Sequence, residues 1–294
     1  MTTTILSDFD AETVEAEFMY DYVSKAPRAD GAAVTRIGGG VVLAMRHDGA
    51  GYWNKALGFT EPVTADLIDQ ILAFYREHGV TEAVLQLRPD TLPAGWADIC
   101  ATRGIHDRGG QVAKLAGEID TVPVRRGAVR TAPVTAADAA EWATVILDTF
   151  GFPREGQAEI LTGTVGDPRW RPYAAWDTDP ATGEQRIVAG GNLYLNGDVA
   201  GLTTGATLAA FRNRGAQSAL LAARIEAARE AGCRWVTAET AWFEDAPEHS
   251  SLNNVQRAGL TLRYVRTNWV WQNPEDGRGG DVRKGSAMTR DESR

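Results

Sequence analysis

The segment from Thr207 to Gly232 contains the residues whose types and spacing best suit binding chemistry. Arg212, Arg214 and Gly215 stand directly before a run with apolar residues at helical spacing, and a strand-like stretch, 234–240, follows. The start of a helix exposes unpaired N–H groups and partial positive charge. A glycine there lets a phosphate approach the backbone, and the arginines supply further positive charge. This strand–loop–helix–strand crossover therefore predicts a pyrophosphate-binding loop.

The loop resembles the acetyl-CoA pyrophosphate signature of the GNAT superfamily of N-acetyltransferases, R/Q-x-x-G-x-G/A. Residues 212–216 fit this pattern, whereas Gln217 stands where the family usually has Gly or Ala. The resemblance implies cofactor contacts at Arg212, Asn213, Arg214, Gly215, Ala216, Gln217 and Ser218.

A second motif follows in the order that this family has. Residues 251–260 (SLNNVQRAGL) resemble the fourth family helix, and Asn254 matches the Asn that faces the pantetheine arm. The family polarises its thioester with a backbone N–H at the end of the fourth strand, which maps to the region of Thr207. The resemblance thus implies acetyl-CoA as the cofactor and direct attack of an amine on the thioester.

Acetyl transfer to an amine needs a base for the amine and can use an acid for the departing thiolate. We expect Glu239, at the end of the strand after the cofactor helix, to be the base; a rim carboxylate in a salt bridge is the alternative. His249 has a suitable intrinsic pKa for a base, but it lies in a polar loop, and a solvated loop histidine is the favoured alternative. Val255 replaces the tyrosine that commonly serves as the acid. Tyr264 is the nearest substitute, and a buried strand tyrosine is the alternative.

The first half resembles the same fold in degenerate form. The sequence at 54–58 (NKALG), a helix at 66–78, a strand at 82–87 and the sequence Arg103-Gly104-Ile105 repeat the order found at 200–260. No arginine–glycine loop precedes the first of these helices, so we expect one cofactor site, with the first copy shaping the acceptor pocket.

These patterns predict an α/β chain of mixed α+β character. It would contain two GNAT-like domains in tandem, each with a central mixed β-sheet flanked by helices. The expected divisions are a degenerate domain at 1–118, a linker at 119–129, an acetyl-CoA-binding domain at 130–272 and a flexible tail at 273–294.

Composition excludes several classes of protein. The chain has 294 residues, of which 44% are hydrophobic and 23% charged, as is typical of a soluble globular protein. A net charge of −9 argues against nucleic-acid or anionic-membrane partners. No apolar run spans a bilayer, and the first residues do not resemble a signal peptide. Four histidines lack metal-ligand spacing, and Cys100 and Cys233 form no CxxC motif, so we expect no metal and a cytoplasmic protein.

The sequence therefore predicts an acetyl-CoA-dependent N-acetyltransferase acting on an amine of a small molecule or peptide. The acidic surface suits a cationic acceptor. Two alternatives stay open, a non-catalytic acyl-CoA-binding module and a transferase that uses another acyl or aminoacyl donor. A homodimer is also left open.

Overall fold

The computed structural model describes residues 6–123, 129–243 and 250–274. The α-helices in these ranges are α1 (Asp8–Ser24), α2 (Ala65–Glu77), α3 (Trp96–Arg103), α4 (Ala139–Phe150), α5 (Gln157–Thr162), α6 (Ala216–Glu230) and α7 (Ser250–Arg257). Short 3₁₀ helices occur at Arg28–Asp30, Pro89–Thr91 and Ala209–Phe211.

The strands are β1 (Ala32–Ile37), β2 (Gly40–Met45), β3 (Lys55–Leu57), β4 (Glu82–Gln86), β5 (Ile105–Glu118), β6 (Arg130–Pro133), β7 (Tyr173–Thr178), β8 (Gln185–Asn196), β9 (Val199–Thr207), β10 (Trp235–Trp242) and β11 (Thr261–Gln272). Over the described residues they form one sheet of eleven strands, in the order β1-β2-β3-β4-β11-β5-β10-β9-β8-β7-β6.

Two parallel strand pairs mark the two halves of this mixed sheet. β3 pairs in parallel with β4, and β9 pairs in parallel with β10. Parallel neighbours need a crossover connection, and α2 and α6 supply it. The mixed α/β class expected from the sequence is confirmed, and the two expected sheets are parts of one continuous sheet.

The halves exchange their last strands. β5 is the last strand of the first half in sequence but lies between β10 and β11, whereas β11, the last strand of the second half, lies between β4 and β5. β5 has 14 residues and β11 has 12, and each strand pairs with a neighbour along both of its edges. The division at 119–129 stays a prediction, and residues 124–128 lie outside the described ranges. So do residues 275–294 of the expected tail.

Successive residues of each strand point to opposite faces, so the sheet contributes side chains to hydrophobic cores on both of its faces. On β2, Val41 and Leu43 pack in the core that contains α1, α4 and α5. Val42 and Ala44 pack in the core formed with α2 and α3. In the second half, α6 and α7 cover the face opposite α1 and α4. The sheet is therefore the middle of three layers.

Helix α1 was not expected, because its sequence reads as polar and acidic. Ser7 caps it, accepting a hydrogen bond from the N–H of Asp10, whose carboxylate accepts one from the N–H of Ser7. Its acidic residues Glu12 and Glu15 are buried beside apolar neighbours. The helix lies across the centre of the sheet and contacts strands of both halves, β1 and β2 in one and β8 and β9 in the other.

Candidate active site

The paired strands β9 and β10 separate half-way along their length. Their parallel register runs only as far as the pair Leu202 and Ala238. Beyond this point β9 continues to Thr207 while pairing with β8, and β10 continues to Trp242 while pairing with β5. We call the space between these two strand ends the β9–β10 opening.

The backbone of β9 bulges where it borders the opening. The register with β8 shifts between the pairs Asn192–Thr203 and Gly190–Ala206, and Thr204 has φ 52°. A positive φ is rare for a β-branched residue, so the surrounding structure must hold it. A bulge disrupts the ladder locally and leaves an extra residue unpaired. The irregular segment therefore lies where β9 has left β10, at the border of the opening.

A buried arginine of α6 donates hydrogen bonds to the two strands at the bulge. Arg224 of α6 is 1% exposed, and its Nη1 donates to the carbonyl oxygens of Asn192 and Thr203 at 2.9 and 3.1 Å. It forms no salt bridge among the described residues, and burial lowers its pKa to about 10. Sequence reasoning missed this residue. Its one sequence signal is glycine inside a strand, because a Cβ at Gly191 would lie 2.6 Å from Arg224 Nη1.

The loop before α6 has the geometry of an anion site. Asn213 and Gly215 both have left-handed backbones, with φ 62° and 89°, and Gly215 is the N-cap. No side chain caps the first turn among the described residues. A Cβ at Gly215 would meet only Val129, at 4.0 Å, so the space in front of the helix is open. The free N–H groups of this turn point toward that space.

The side chains of the loop and first turn agree with this geometry. Arg214 is partly exposed, lies over the ring of Phe211, and its Nε is 3.1 Å from Asp177 Oδ2. Gln217 Oε1 accepts a 3.4 Å hydrogen bond from the Thr207 hydroxyl. This contact brings the start of α6 against the end of β9. Five of the predicted cofactor contacts, Arg212, Asn213, Arg214, Gly215 and Ser218, are exposed, whereas Ala216 is buried.

Asn254 is half-buried on α7, which packs on β10 near α6. The next residue, Val255, is buried in the core beneath α7. Valine has no ionisable group, so this position supplies no acid, and its side chain contributes to packing instead. His249 lies outside the described residues.

Glu239 is the first residue of β10 beyond its pairing with β9, and its side chain is 12% exposed. Lys114, directly across on β5, donates from Nζ to Glu239 Oε1 at 2.6 Å. Burial raises the pKa of the Glu239 carboxyl to about 7, although Lys114 lowers it. The salt bridge named as the alternative is thus present, and the role of Glu239 as a base stays a prediction.

Glu239 belongs to a buried set of charged side chains that we call the ion network. Its members are Glu12, Glu15, Lys114, Glu239 and Arg266. Lys114 Nζ also lies 2.5 Å from Glu15 Oε2, and Arg266 lies 2.7 Å from Glu15 and 2.8 Å from Glu12. The network contains residues of α1 and β5 from the first half and of β10 and β11 from the second.

Tyr264 lies at the far end of the ion network from Glu239. Its hydroxyl donates to Glu12 Oε1 at 2.5 Å, and burial raises the pKa of this phenol far above its ordinary value. Tyr264 and Glu239 pair with the same residue, Lys114, from opposite sides. The structure thus brings both predicted catalytic residues into one row across three strands, with the phenolic proton directed to Glu12.

Two further residues of the first half lie near the network. Lys55 Nζ is 3.3 Å from the ring centroid of Tyr52, and burial lowers the pKa of Lys55 to about 8. Nothing in the sequence pattern singles out these residues.

Comparison with known proteins adds the fold family. No protein-family model matches the chain, and no curated protein matches it. Solved structures do. A GCN5-related N-acetyltransferase from Kribbella flavida superimposes with a TM-score of 0.59 at 15% identity, covering 92% of this chain and 96% of that one. A tandem GNAT protein from the clavulanic acid biosynthesis pathway superimposes at 0.52 and 15% identity, covering 90% and 96%.

The chain has the tandem GNAT fold. A GCN5-related N-acetyltransferase from Sphaerobacter thermophilus also matches, with a TM-score of 0.56 at 14% identity, covering 82% of this chain and 76% of that one. The fold expected from the loop and the 251–260 motif is thereby confirmed.

In the first GNAT copy, the corresponding positions carry different chemistry. Gln86 follows Gly79 by seven residues, as Glu239 follows Gly232. Gln86 Nε2 donates to Asn268 Oδ1 at 2.8 Å, so an amide pair stands where the second copy has an ion pair. Gln86 lies across from Asn268 on β11, as Glu239 lies across from Lys114 on β5.

The helix start of the first GNAT copy is also different. The Thr64 hydroxyl accepts a 3.1 Å hydrogen bond from the N–H of Leu67, which caps α2. The N–H of Val63 donates to the carbonyl of Thr91 at 2.9 Å and ties the loop before α2 to the segment after β4. A side chain and a neighbouring segment thus engage the end of this helix.

None of the helices in the described ranges is both long and apolar enough to span a bilayer. The residues of these ranges contain no group of three His, Cys, Asp or Glu side chains that could hold a metal ion.

Proposed function

We propose that the chain transfers an acetyl group from acetyl-CoA to an amine of a small molecule or peptide. One observation carries the proposal: the uncapped start of α6 adjoins the β9–β10 opening, and Glu239 stands where that opening begins. GCN5-related N-acetyltransferases among the proteins of similar fold support it.

The residues before α6 fit the pyrophosphate of acetyl-CoA. The first-turn N–H groups behind Gly215 can donate to phosphate oxygens, and Arg214 can add charge if it turns from Asp177. Gln217 replaces a small residue, but its side chain folds against β9 at Thr207. The space in front of the helix is therefore left open. Acetyl-CoA would supply an acyl group activated as a thioester.

Glu239 is the group best placed to take a proton from the acceptor amine. It is the most exposed carboxylate of the ion network, and its pKa of about 7 lets it be ionised near neutral pH while still binding a proton. A carboxylate at this position also favours an acceptor that arrives as a cation.

The first test is calorimetric titration with acetyl-CoA, with desulfo-CoA and ATP as comparison ligands. We expect one site per chain, lost in Arg214→Glu because an anion replaces a phosphate ligand. Arg154→Glu is the matched control, since Arg154 is an exposed arginine of the second half that is paired with Asp148. No binding by the wild type would reject the proposal, and two sites per chain would show that the first GNAT copy also binds.

A non-catalytic acyl-CoA-binding module is the second candidate. It is favoured by Tyr264, whose proton is directed to Glu12, and by the buried Val255. Tight acetyl-CoA binding with no transfer to any amine of a broad screen would favour this function. A panel of longer acyl and aminoacyl donors tests the remaining alternative.

A further inference from the structure

We propose that Lys114 and Glu15, both from the first half of the chain, are positioning residues for Glu239 that act with opposite sign on its affinity for a proton. The inference rests on the proposed function, because it assigns these residues to the site in which Glu239 is the base. The first GNAT copy would then be an electrostatic part of the second copy's site.

The ammonium group of Lys114 is fully engaged. It donates to Glu239 Oε1 at 2.6 Å, to Glu15 Oε2 at 2.5 Å and to the carbonyl oxygen of Ala11 at 3.0 Å. An ammonium has three protons to donate, and these three acceptors use all of them. Lys114 therefore holds Glu239 in place and has no donor left for a substrate.

Burial separates the roles of these groups. The side chain of Lys114 is 0% exposed and that of Glu15 is 7% exposed, whereas Glu239 is 12% exposed at the start of the opening. Glu239 is the most exposed of the three, so we expect an acceptor to contact it and Lys114 and Glu15 to act through it. Two carboxylates share one cation here, and this arrangement makes the proton affinity of each depend on the charge of the other.

The charged groups around Glu239 come from four other elements. Lys114 on β5 lowers the pKa of Glu239, Glu15 on α1 raises it, and Arg266 on β11 lowers it. Lys55 on β3 and the adjacent Tyr52 hydroxyl also interact with Glu239 electrostatically. Arg266 is bound to Glu12 and Glu15, so Lys114 is the cation in direct contact with Glu239.

The other GNAT copy supplies an internal comparison. There the corresponding pair is Gln86 and Asn268, which carries no charge. The strand exchange places a lysine of the first half opposite Glu239 and an asparagine of the second half opposite Gln86. The ionisable pair thus occurs in the copy whose helix start is uncapped.

Two substitutions with opposite expected effects test the inference. Lys114→Met removes the cation in contact with Glu239, and Glu15→Gln removes the nearby negative charge. Two quantities are measured for each variant: the pH profile of kcat/KM, and the carboxyl ¹³C titration of Glu239, assigned by the signal that Glu239→Gln loses. We expect the midpoint to rise by about one pH unit or more in Lys114→Met and to fall in Glu15→Gln.

The control is Asn268→Ala, which alters the equivalent pair of the first copy and should leave the Glu239 midpoint unchanged. Midpoints that do not move, or that move in the same direction in both variants, would overturn the inference. If Lys114→Met does not fold by circular dichroism, the fall in Glu15→Gln decides alone. The ¹³C titration needs no turnover, so a wild type without transferase activity would reject the proposed function while this inference is still tested.

Discussion

The two crossover helices of this chain begin in opposite ways. At α6, Gly215 adopts a left-handed backbone and no side chain caps the first turn among the described residues. At α2, Thr64 caps the helix, and Asp66 places negative charge in the first turn. A helix start can bind an external anion or be satisfied internally, and a few residues decide which. The comparison teaches that two copies of one fold can differ at the helix start on which the proposed binding site depends.

The strands that follow these helices also differ, in the charge of the side-chain pair that each forms with its neighbouring strand. Glu239 and Lys114 form an ion pair in the second copy, and Gln86 and Asn268 form an amide pair in the first. Gln86 Oε1 has no hydrogen-bond partner among the described residues. The ionisable pair and the uncapped helix start therefore occur in the same copy, the one to which we assign the proposed chemistry.

The largest effect is expected when the open helix start is closed. Gly215→Asp should weaken acetyl-CoA binding by about 100-fold or more, because a carboxylate would face the phosphates and φ 89° disfavours a side chain. Calorimetry measures the affinity. Gly183→Asp is the matched control, with φ 75° and open space around it. Equal losses in both variants would show that backbone strain, and not the site, causes the effect.

Giving the second copy the amide that the first copy has at this position should remove most of the proposed transferase activity. Glu239→Gln should lower kcat by about 10²–10⁴-fold, because an amide cannot take the amine proton. The affinity for acetyl-CoA should stay unchanged, since Glu239 is not part of the loop before α6. Steady-state kinetics with a saturating amine gives kcat. A variant with the full wild-type kcat would remove Glu239 from the mechanism.

The pH dependence should follow the Glu239 carboxyl. Its pKa is raised to about 7, and only the ionised form accepts a proton, so kcat/KM should climb as pH rises to about 7 and then level off. A profile measured from pH 5 to 9 checks this expectation. A level profile below pH 7 would mean that another group is the base.

The smallest effect is expected at the capped helix. Thr64→Ala should lower the free energy of unfolding by about 1 kcal/mol, because the N–H of Leu67 loses its acceptor. Chemical denaturation measures the loss. Acetyl-CoA affinity should not change, and a change would indicate that the start of α2 contacts the ligand.

Local sequence patterns predicted the elements that depend on neighbouring residues. The helix after Gly215, its end near Gly232 and the following strand were all predicted, because apolar spacing and glycine conformation act within a few residues. Helix α1 was missed for the converse reason. Its buried carboxylates, Glu12 and Glu15, look solvent-exposed until their partners are known.

Those partners lie far away in sequence. Glu12 and Arg266 are 254 residues apart, and Lys114 and Glu239 are 125 apart. No period or motif connects such pairs, since strand order and exchange alone bring them together. The bulge at Thr204 and its hydrogen bond from Arg224 to the neighbouring Thr203 carbonyl also have no motif that predicts them, because they depend on how α6 packs against β9.

The sequence by itself determined the loop before α6, because a left-handed glycine, nearby arginines and a helix start are all local properties. It also indicated Glu239 as a candidate, from its place at the end of a strand. Only the tertiary structure decided what surrounds that carboxylate. The exchange of β5 and β11 places Lys114 against it, and α1 seals the pair from water on that side. Burial and charge at a site depend on every element packed around it, and that packing exists only in the folded chain.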